Sequence, residues 1–457
     1  MGRNAESARR FGALAEMMNE NRRMRAGAAL VAVLLALAAF AFLTWLPGRA
    51  RALMGIAAFI LTAVACSADV AAIRWRTVAW GIGLQVLLAV LILKLAVGGV
   101  RPGYALFSAL AAVVTRFLEF TSVGAQFVFG VLADPVAMGE RFPNGLVLAF
   151  SAFPIIIFAS SVFTVLYHLG VLQAAVRLLA RVMMPLMGTS GAETLSAAAN
   201  VFMGQTEAPI IVRPYIARMT QSELLALMTG GLATIAGSMF AIYVSLGADP
   251  VAMLTTSVMA APCSLYLAKI LLPETGRPVT AGRVVVNPAR EHVNVVDAAA
   301  GGASSGMQLA FNVTAMLIAF LAFIAMFDYL LGLVRPGLTM AGILAVVFAP
   351  VAALIGVPGG DVAAVADLLG TKLVTNEFVA YVKLSGEYAD TVGDRARTLS
   401  TYALTGFANF GSIGIVLGGI GSMAPERRGD LARLSARALL AGFMATLINA
   451  CVAAVLL

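Results

Sequence analysis

Charge is the first thing this chain has little of. Only 12% of its 457 residues are Asp, Glu, Lys or Arg, about half of the roughly 25% found in ordinary soluble domains, so a water-facing shell cannot cover the whole chain. Histidine is nearly absent, with His168 and His292 alone, which leaves almost no material for a His-based metal site or a catalytic triad. The three cysteines, Cys66, Cys263 and Cys451, stand singly inside apolar runs, a pattern that excludes a disulfide scaffold and a zinc site. No Walker A sequence occurs, which argues against transport driven by ATP on this chain, and no nucleophile–base pair or cofactor motif supports an integral-membrane enzyme. What the chain does have is apolar surface: 61% of residues are hydrophobic and the mean hydropathy is +0.93. One span uses about 20 residues, so a surplus spread over the full length means a polytopic, all-α membrane protein. The net charge of +8 then reads as cytoplasmic loops, not as a nucleic-acid surface.

Nine stretches have the length and apolarity to cross: Ala26 to Leu46, Ala52 to Ala68, Thr77 to Leu93, Asn144 to Tyr167, Leu224 to Ala248, Pro250 to Ala268, Gly306 to Phe327, Thr398 to Met423 and Ala438 to Leu457. The first, 21 apolar residues with no small-residue cleavage site after it, is too long for a cleaved signal. Arg3, Arg9, Arg10, Arg22, Arg23 and Arg25 place the 1–25 segment in the cytoplasm, and nine crossings put Leu457 outside. That topology also puts Lys269, Arg277, Arg283 and Arg290 inside, with Arg427, Arg428, Arg433 and Arg437. The 94–141 region carries Arg101, Arg116, Glu119, Asp134, Glu140 and Arg141 and is expected to form helices at the interface; Val171 to Met187, with Arg177 and Arg181 on one face, is expected to be another.

Two segments are apolar enough to enter the membrane but too interrupted to be plain helices. The first, Thr194 to Pro209, sets Asn200, Gln205, Thr206 and Glu207 around Gly204 and ahead of Pro209. The second starts at Pro336, is interrupted at Pro350 and at Val357-Pro358-Gly359-Gly360, and continues through Lys372, Asn376 and Glu377 to Tyr381. Each precedes a span with polar residues and glycines in its middle, Ala233 to Ser238 in one and Gly406 to Ser412 in the other. Glu207 to Ser238 is 31 residues, Glu377 to Ser412 is 35. The pattern is duplicated, and by the topology above the two hairpins enter from opposite sides. Inverted halves with broken segments mark a secondary transporter with its site near the midplane; unwound backbone is tolerable there only where it lines a cavity. An acidic residue inside a span normally marks a pathway or a partner, which makes Glu207 and Glu377 the leading functional residues. Lys372, a turn and a half before Glu377, is its obvious structural partner. Asp69 and Asp328 sit at span ends and read as solvated or capping residues.

At these residues the sequence resembles the concentrative nucleoside transporter family. Gly204-Gln205-Thr206-Glu207-Ala208-Pro209 is similar to that family's first-hairpin motif. Gly370-x-Lys372-x-x-x-Asn376-Glu377-Phe378-Val379-Ala380-Tyr381 is similar to its long signature, and Gly406-Phe407-Ala408-Asn409-Phe410 to its last broken helix. The likeness runs from about Ala52 to Leu457; residues 26–46 look like an added helix ahead of the core. The resemblance implies an inner-membrane, elevator-type homotrimer in which scaffold parts (52–143 and 298–334) hold a mobile transport domain. Along the chain a first repeat (144–272, with a hairpin near 190–212 and a broken helix at 233–238) and a second (336–423, with a hairpin at 336–382 and a break at 406–412) are followed by a C-terminal transmembrane helix at 427–457. It further implies that Gln205, Thr206 and Glu207, with Met239 alongside, meet a nucleobase; that Glu377, Asn409 and Ser412, with Phe407 nearby, meet the ribose; and that a co-transported sodium ion sits on the side chains of Asn200 and Thr234 and the carbonyls of Met203 and Ile235. Met239 and Thr234 depart from the smaller branched residue and the Ser that are usual there, which bears on base selectivity but keeps the hydroxyl. An amide can donate and accept against a base edge, and a carboxylate with an amide suits a diol. Sodium coupling is the expected energy source, with a proton carried by Glu207 or Glu377 as the alternative; a passive channel is disfavoured by the closed hairpins.

Overall fold

The computed structural model of the chain describes residues 2–134, 137–138, 148–282 and 292–457, and within them every regular element is helical apart from one isolated bridge between Val97 and Val100. Glu140, Arg141, Asn144, Arg283 and Arg290 fall outside these residues. The first helix, α1 (Gly2–Ala41), takes the N-terminal segment and the expected first span into one rod, about 60 Å long at 1.5 Å per residue. Pro47, which bars helical geometry to the residue before it, starts the next helix, α2 (Gly48–Ala65), and α3 (Trp75–Leu93) follows.

The 94–141 region departs from expectation. It holds one continuous helix, α4 (Pro102–Phe129), running on through a 3-10 turn to Ala133, and that stretch is long and apolar enough to cross a membrane. Its charges are fewer in effect than in the sequence count, because Arg116 and Glu119 pair with each other one turn apart. Next come α5 (Leu148–His168) and α6 (Val171–Met187), the latter amphipathic as its Arg177 and Arg181 suggested.

The first duplicated unit is α7 (Gly191–Ala199), an irregular 200–207 segment, a 3-10 turn at Ala208–Val212 and a helical turn at Arg213–Ile216, then α8 (Gln221–Ala233) and α9 (Gly237–Ser245). Capping boxes start both α7 (Ser190 with Glu193) and α8 (Thr220 with Glu223), which consumes the donors that a buried helix end would orphan. The long helices α10 (Pro250–Leu271) and α11 (Val295–Val334) follow, then α12 (Met340–Leu354), α13 (Val362–Val374), α14 (Glu377–Ser385), α15 (Asp394–Leu404), α16 (Phe410–Met423) and α17 (Arg428–Leu456).

Leu224 to Ala248 parts at Thr234 to Ala236 and Thr398 to Met423 at Thr405 to Asn409, at the interruptions expected near 233–238 and 406–412. One expectation is corrected here. The second hairpin does not begin at 336. Pro350 lies inside an unbroken α12, and the tight reversal is the Thr375-Asn376 link between α13 and α14. The core is built around α8, α10 and α17, which are buried along most of their lengths, while α1, α4 and much of α11 keep large apolar side chains on the outside. That is an apolar coat suited to lipid or a partner helix.

Candidate functional site

The two broken helices meet at their breaks. The Phe407 N–H donates to the Thr234 carbonyl at 3.1 Å, joining the unwound residues of one repeat to those of the other. Gly406 makes this approach workable: its φ is 153°, and a Cβ there would lie 2.6 Å from the Thr446 methyl. Unwound N–H and C=O groups thus converge at one level inside the molecule, where only mutual bonding or a ligand can satisfy them.

On the side of the second repeat, Glu377 opens α14 and is 4% exposed. Its Oε1 accepts the Tyr243 hydroxyl at 2.8 Å and its Oε2 accepts the Asn409 Nδ2 at 3.0 Å. Asn409 caps α16, its Oδ1 accepting the Ser412 N–H at 2.8 Å; Glu377, Asn409 and Ser412 are therefore one connected group, and Phe407 stands half-buried two residues from Asn409. Asn376 caps α14 through the Val379 N–H. The structural alternative, a Lys372 to Glu377 ion pair, is not formed among the described residues: the Lys372 ammonium turns to the Ala403 carbonyl (2.7 Å) and the Thr446 hydroxyl (2.9 Å), because the turn between α13 and α14 interrupts the helical spacing of the two residues.

Tyr243, on α9, is a residue that the sequence reading missed. It is fully buried, stacks on Tyr381 with centroids 4.6 Å apart and planes at 21°, and holds the carboxylate from the opposite repeat. Tyr381 in turn bonds the Thr405 hydroxyl (2.9 Å) and the Thr401 carbonyl (3.1 Å) at the end of α15. The available signal was a lone tyrosine four residues after Met239 on the same helix face.

On the side of the first repeat, the 200–207 segment lies against α8. A Cβ on Gly230 would come 2.9 Å from the Asn200 amide nitrogen, and one on Gly231 would come 2.8 Å from Gln205 Cβ; glycine alone permits this approach. Asn200 Nδ2 donates to the Ser196 carbonyl, while its Oδ1 is buried without a partner, as are Gln205 Oε1, Ser196 Oγ and Thr229 Oγ1. Thr234 donates its hydroxyl to the Gly230 carbonyl at 3.0 Å and keeps its lone pairs. The Met203 and Ile235 carbonyls receive no hydrogen bond among the described residues, whereas their neighbours at Phe202 and Thr234 do. Orphaned buried oxygens of this kind call for an explanation, and a set of amide, hydroxyl and carbonyl oxygens is what a hard monovalent cation accepts. Glu207 is exposed, with Oε2 bonded to the Gly204 N–H. Thr206 faces α16, where a Cβ on Gly419 would touch its methyl at 2.8 Å. Met239 is buried on α9. No hydrogen bond or ion pair among the described residues joins Glu207 to Glu377.

A cavity of about 720 Å³ opens elsewhere, at the base of α7 between Arg74, Glu193, Lys269, Glu274 and Arg277. There Lys269 holds Glu193 at 2.6 Å and Glu274 at 3.3 Å. The lysine and both glutamates there are held to one another, whereas the breaks and hairpins leave buried oxygens without partners, which makes them the better candidate for the site.

Comparison with known proteins gives the family. Three family models match: "Na+ dependent nucleoside transporter N-terminus" over residues 54–132, "Nucleoside recognition" over 149–250 and "Na+ dependent nucleoside transporter C-terminus" over 252–454. An "Uncharacterized transporter" of Haemophilus influenzae is 43% identical over 88% of this chain and 96% of its own. Sodium/nucleoside cotransporter 1 of Homo sapiens is 40% identical over 92% of this chain and 67% of its own length, and that of Mus musculus 41% over 90% and 64%. The chain thus spans about two thirds of these mammalian relatives. Among solved structures, CNTnw in an inward-facing substrate-bound state superposes with a TM-score of 0.83 at 41% identity, covering 89% of this chain and 97% of that one. A variant of CNTnw in an outward-facing state gives 0.84 at 40%, covering 90% and 98%.

Proposed function

Because the chain belongs to the sodium-dependent nucleoside transporter family, we propose that it is a secondary active transporter that imports nucleosides with sodium, moving a substrate-holding unit elevator-fashion across a fixed scaffold. The observation that carries this reading is the meeting of two half-sites at the helix breaks. One is a carboxylate–amide pair, Glu377 with Asn409, shaped to accept a diol. The other is a hairpin with unpaired amide oxygens at Asn200 and Gln205. In this reading Gln205, Thr206, Glu207 and Met239 face the base, and Glu377, Asn409, Ser412 and Phe407 face the ribose. Asn200 and Thr234, with the carbonyls of Met203 and Ile235, hold the sodium that travels with the substrate.

None of the four sodium oxygens titrates near neutral pH, so the pocket suits a metal cation and not a proton. One monovalent cation crossing about 150 mV releases roughly 3.5 kcal/mol, enough for several hundred-fold accumulation of a neutral nucleoside. We further assign the chain to the bacterial inner membrane as a homotrimer, with its N-terminus in the cytoplasm and Leu457 outside. One residue of each basic cluster supports a common side: Lys269 sits at the start of α7 through Glu193, and Arg427 bonds the Met219 carbonyl (2.7 Å) just before α8, so these two lie at one end of the first repeat. Uptake of labelled uridine into proteoliposomes under a sodium gradient, a proton gradient or neither tests the whole reading. Accumulation with sodium alone is expected; accumulation that follows protons and ignores sodium overturns the coupling, and mere equilibration overturns active transport.

A further inference from the structure

A helix that stops inside a protein leaves carbonyls that the following N–H groups would otherwise have taken. Four residues beyond Ala403, in the last turn of α15, stands Phe407, whose N–H would bond the Ala403 carbonyl if the helix went on. That N–H goes instead to the Thr234 carbonyl of the first repeat, at 3.1 Å. The cross-repeat bond therefore vacates the Ala403 carbonyl in a buried place, where an unmade hydrogen bond is costly.

Lys372 takes the vacated position. Its side chain is 0% exposed, reaches out from the last turn of α13, and donates to the Ala403 carbonyl at 2.7 Å and to the Thr446 hydroxyl oxygen at 2.9 Å. Thr446 gives its own proton to the Phe443 carbonyl at 2.9 Å, so its oxygen is free to accept, and the Phe443 ring lies 5.4 Å from the ammonium. No ion pair joins Lys372 to a carboxylate among the described residues, so these acceptors are what offset the cost of burying its charge. Thr446 also meets the break directly, since a Cβ on Gly406 would lie 2.6 Å from its methyl. The last turn of α15 and the glycine after it are thus held from α13 on one side and α17 on the other.

We propose that Lys372 is a positioning residue of the ribose half-site: its ammonium stands in for the Phe407 N–H at the Ala403 carbonyl, and so releases that N–H to tie the break of α15 to Thr234 and to set Asn409 against Glu377. This rests on the reading of Glu377 and Asn409 as the groups that receive the ribose. Lys372 acts through the backbone and has no hydrogen bond to either of them. Without the ammonium the Ala403 carbonyl competes for the Phe407 N–H, and α15 winds on beyond Thr405. Asn409 follows, because its N–H is bonded to the Phe407 carbonyl at 2.9 Å, and its side chain leaves both Glu377 and the Ser412 N–H that it caps.

The test compares full-length wild type, Lys372→Met, Lys372→Arg and Thr446→Val in proteoliposomes at saturating sodium, with uptake of labelled uridine and of its 2′,3′-dideoxy analogue followed over substrate concentration. Lys372→Met keeps most of the side-chain volume and removes the donors. It should raise the half-saturating uridine about tenfold or more, leave that of the dideoxy compound nearly unchanged, and keep most of the maximal uptake per folded transporter. Lys372→Arg retains donors for the Ala403 carbonyl and should recover most of the uridine affinity. Thr446→Val keeps a methyl against Gly406 but loses the acceptor; it should weaken uridine less than Lys372→Met does, and add nothing to it in the double variant. Equal losses for the two compounds, a fall in maximal uptake with unchanged half-saturation, or no recovery with arginine overturns the assignment. If Lys372→Met fails to fold, wild-type half-saturation in Thr446→Val overturns it alone. Wild type that handles uridine and the dideoxy compound alike overturns the ribose reading instead, and the Lys372 assignment with it.

Discussion

Removing one oxygen from Tyr243 tests the ribose half-site most directly. The residue is fully buried, and its ring stacks on Tyr381 at 4.6 Å, so Tyr243→Phe keeps the packing and opens almost no cavity. What disappears is the 2.8 Å bond to Glu377 Oε1. A hydrogen bond to a charged group contributes about 1.5 to 3 kcal/mol, which corresponds to roughly 10- to 140-fold in binding. The lower end is expected here, since Asn409 still holds Oε2 and a bound hydroxyl can donate to the vacated oxygen. The loss should fall on the half-saturating concentration of ribonucleosides, because the carboxylate is no longer held in the orientation that receives the diol. Uptake of labelled uridine and of its 2′,3′-dideoxy analogue by Tyr243→Phe proteoliposomes separates positioning from general damage. A rise of about tenfold for uridine with little change for the dideoxy compound is the expected result. Equal loss for both, or no loss for either, refutes the view that Tyr243 orients a ribose-binding acid.

Glu377→Gln should weaken ribonucleosides by an order of magnitude or more, through the same 1.5 to 3 kcal/mol of charge-assisted bonding, and weaken deoxyribonucleosides less; competition of both against labelled uridine measures the difference. Asn200→Ala and Thr234→Val should raise the sodium needed for half-maximal uptake while uptake at very high sodium returns toward normal, which a sodium titration at fixed uridine reads. Gly231→Ala puts a methyl 2.8 Å from Gln205 Cβ in a helix that otherwise favours alanine. Overpacking of about 1 to 3 kcal/mol should displace the hairpin, so the ranking among bases should change in competition assays while the helical content seen by circular dichroism is kept. Met239→Val should alter tolerance of large bases most, since an unbranched side chain repacks more readily than a branched one; unchanged purine-to-pyrimidine uptake ratios would place the base site elsewhere.

Much of the molecule is legible in its sequence because membrane insertion constrains sequence so tightly. A chain with this little charge must fold as helices whose apolar length matches the bilayer. The interruptions at Asn200 to Glu207, Thr234 to Gly237 and Gly406 to Asn409 are readable because Gly, Asn and Thr in an apolar run have few roles other than breaking and capping. Glu377 and Asn409 stand out from the apolar pattern alone, as polar groups that are costly inside a span. Charge counting is less reliable: it keeps 102–129 out of the membrane-length set, since a sum over residues does not register that Arg116 and Glu119 pair on one helix face.

Other features belong to the tertiary structure alone. Sequence spacing puts Lys372 beside Glu377, but a turn between two half-helices sends neighbours in different directions, and the lysine closes α15 while the glutamate meets Tyr243 from the other repeat. Proline at 350 looks like a break and is not one, because whether a helix survives the loss of one backbone bond depends on what surrounds it. The unpaired oxygens of Asn200 and Gln205, and the approach of Gly230 and Gly231 to them, exist only once α7 and α8 are packed. Composition and local pattern thus determined that the chain spans a membrane, that it is duplicated, and which polar residues are out of place. Which of those residues face one another was decided by the packing of the two repeats, since the contacts that satisfy a buried polar group are made across distances of more than a hundred residues, as between Tyr243 and Glu377, and no local spacing encodes them.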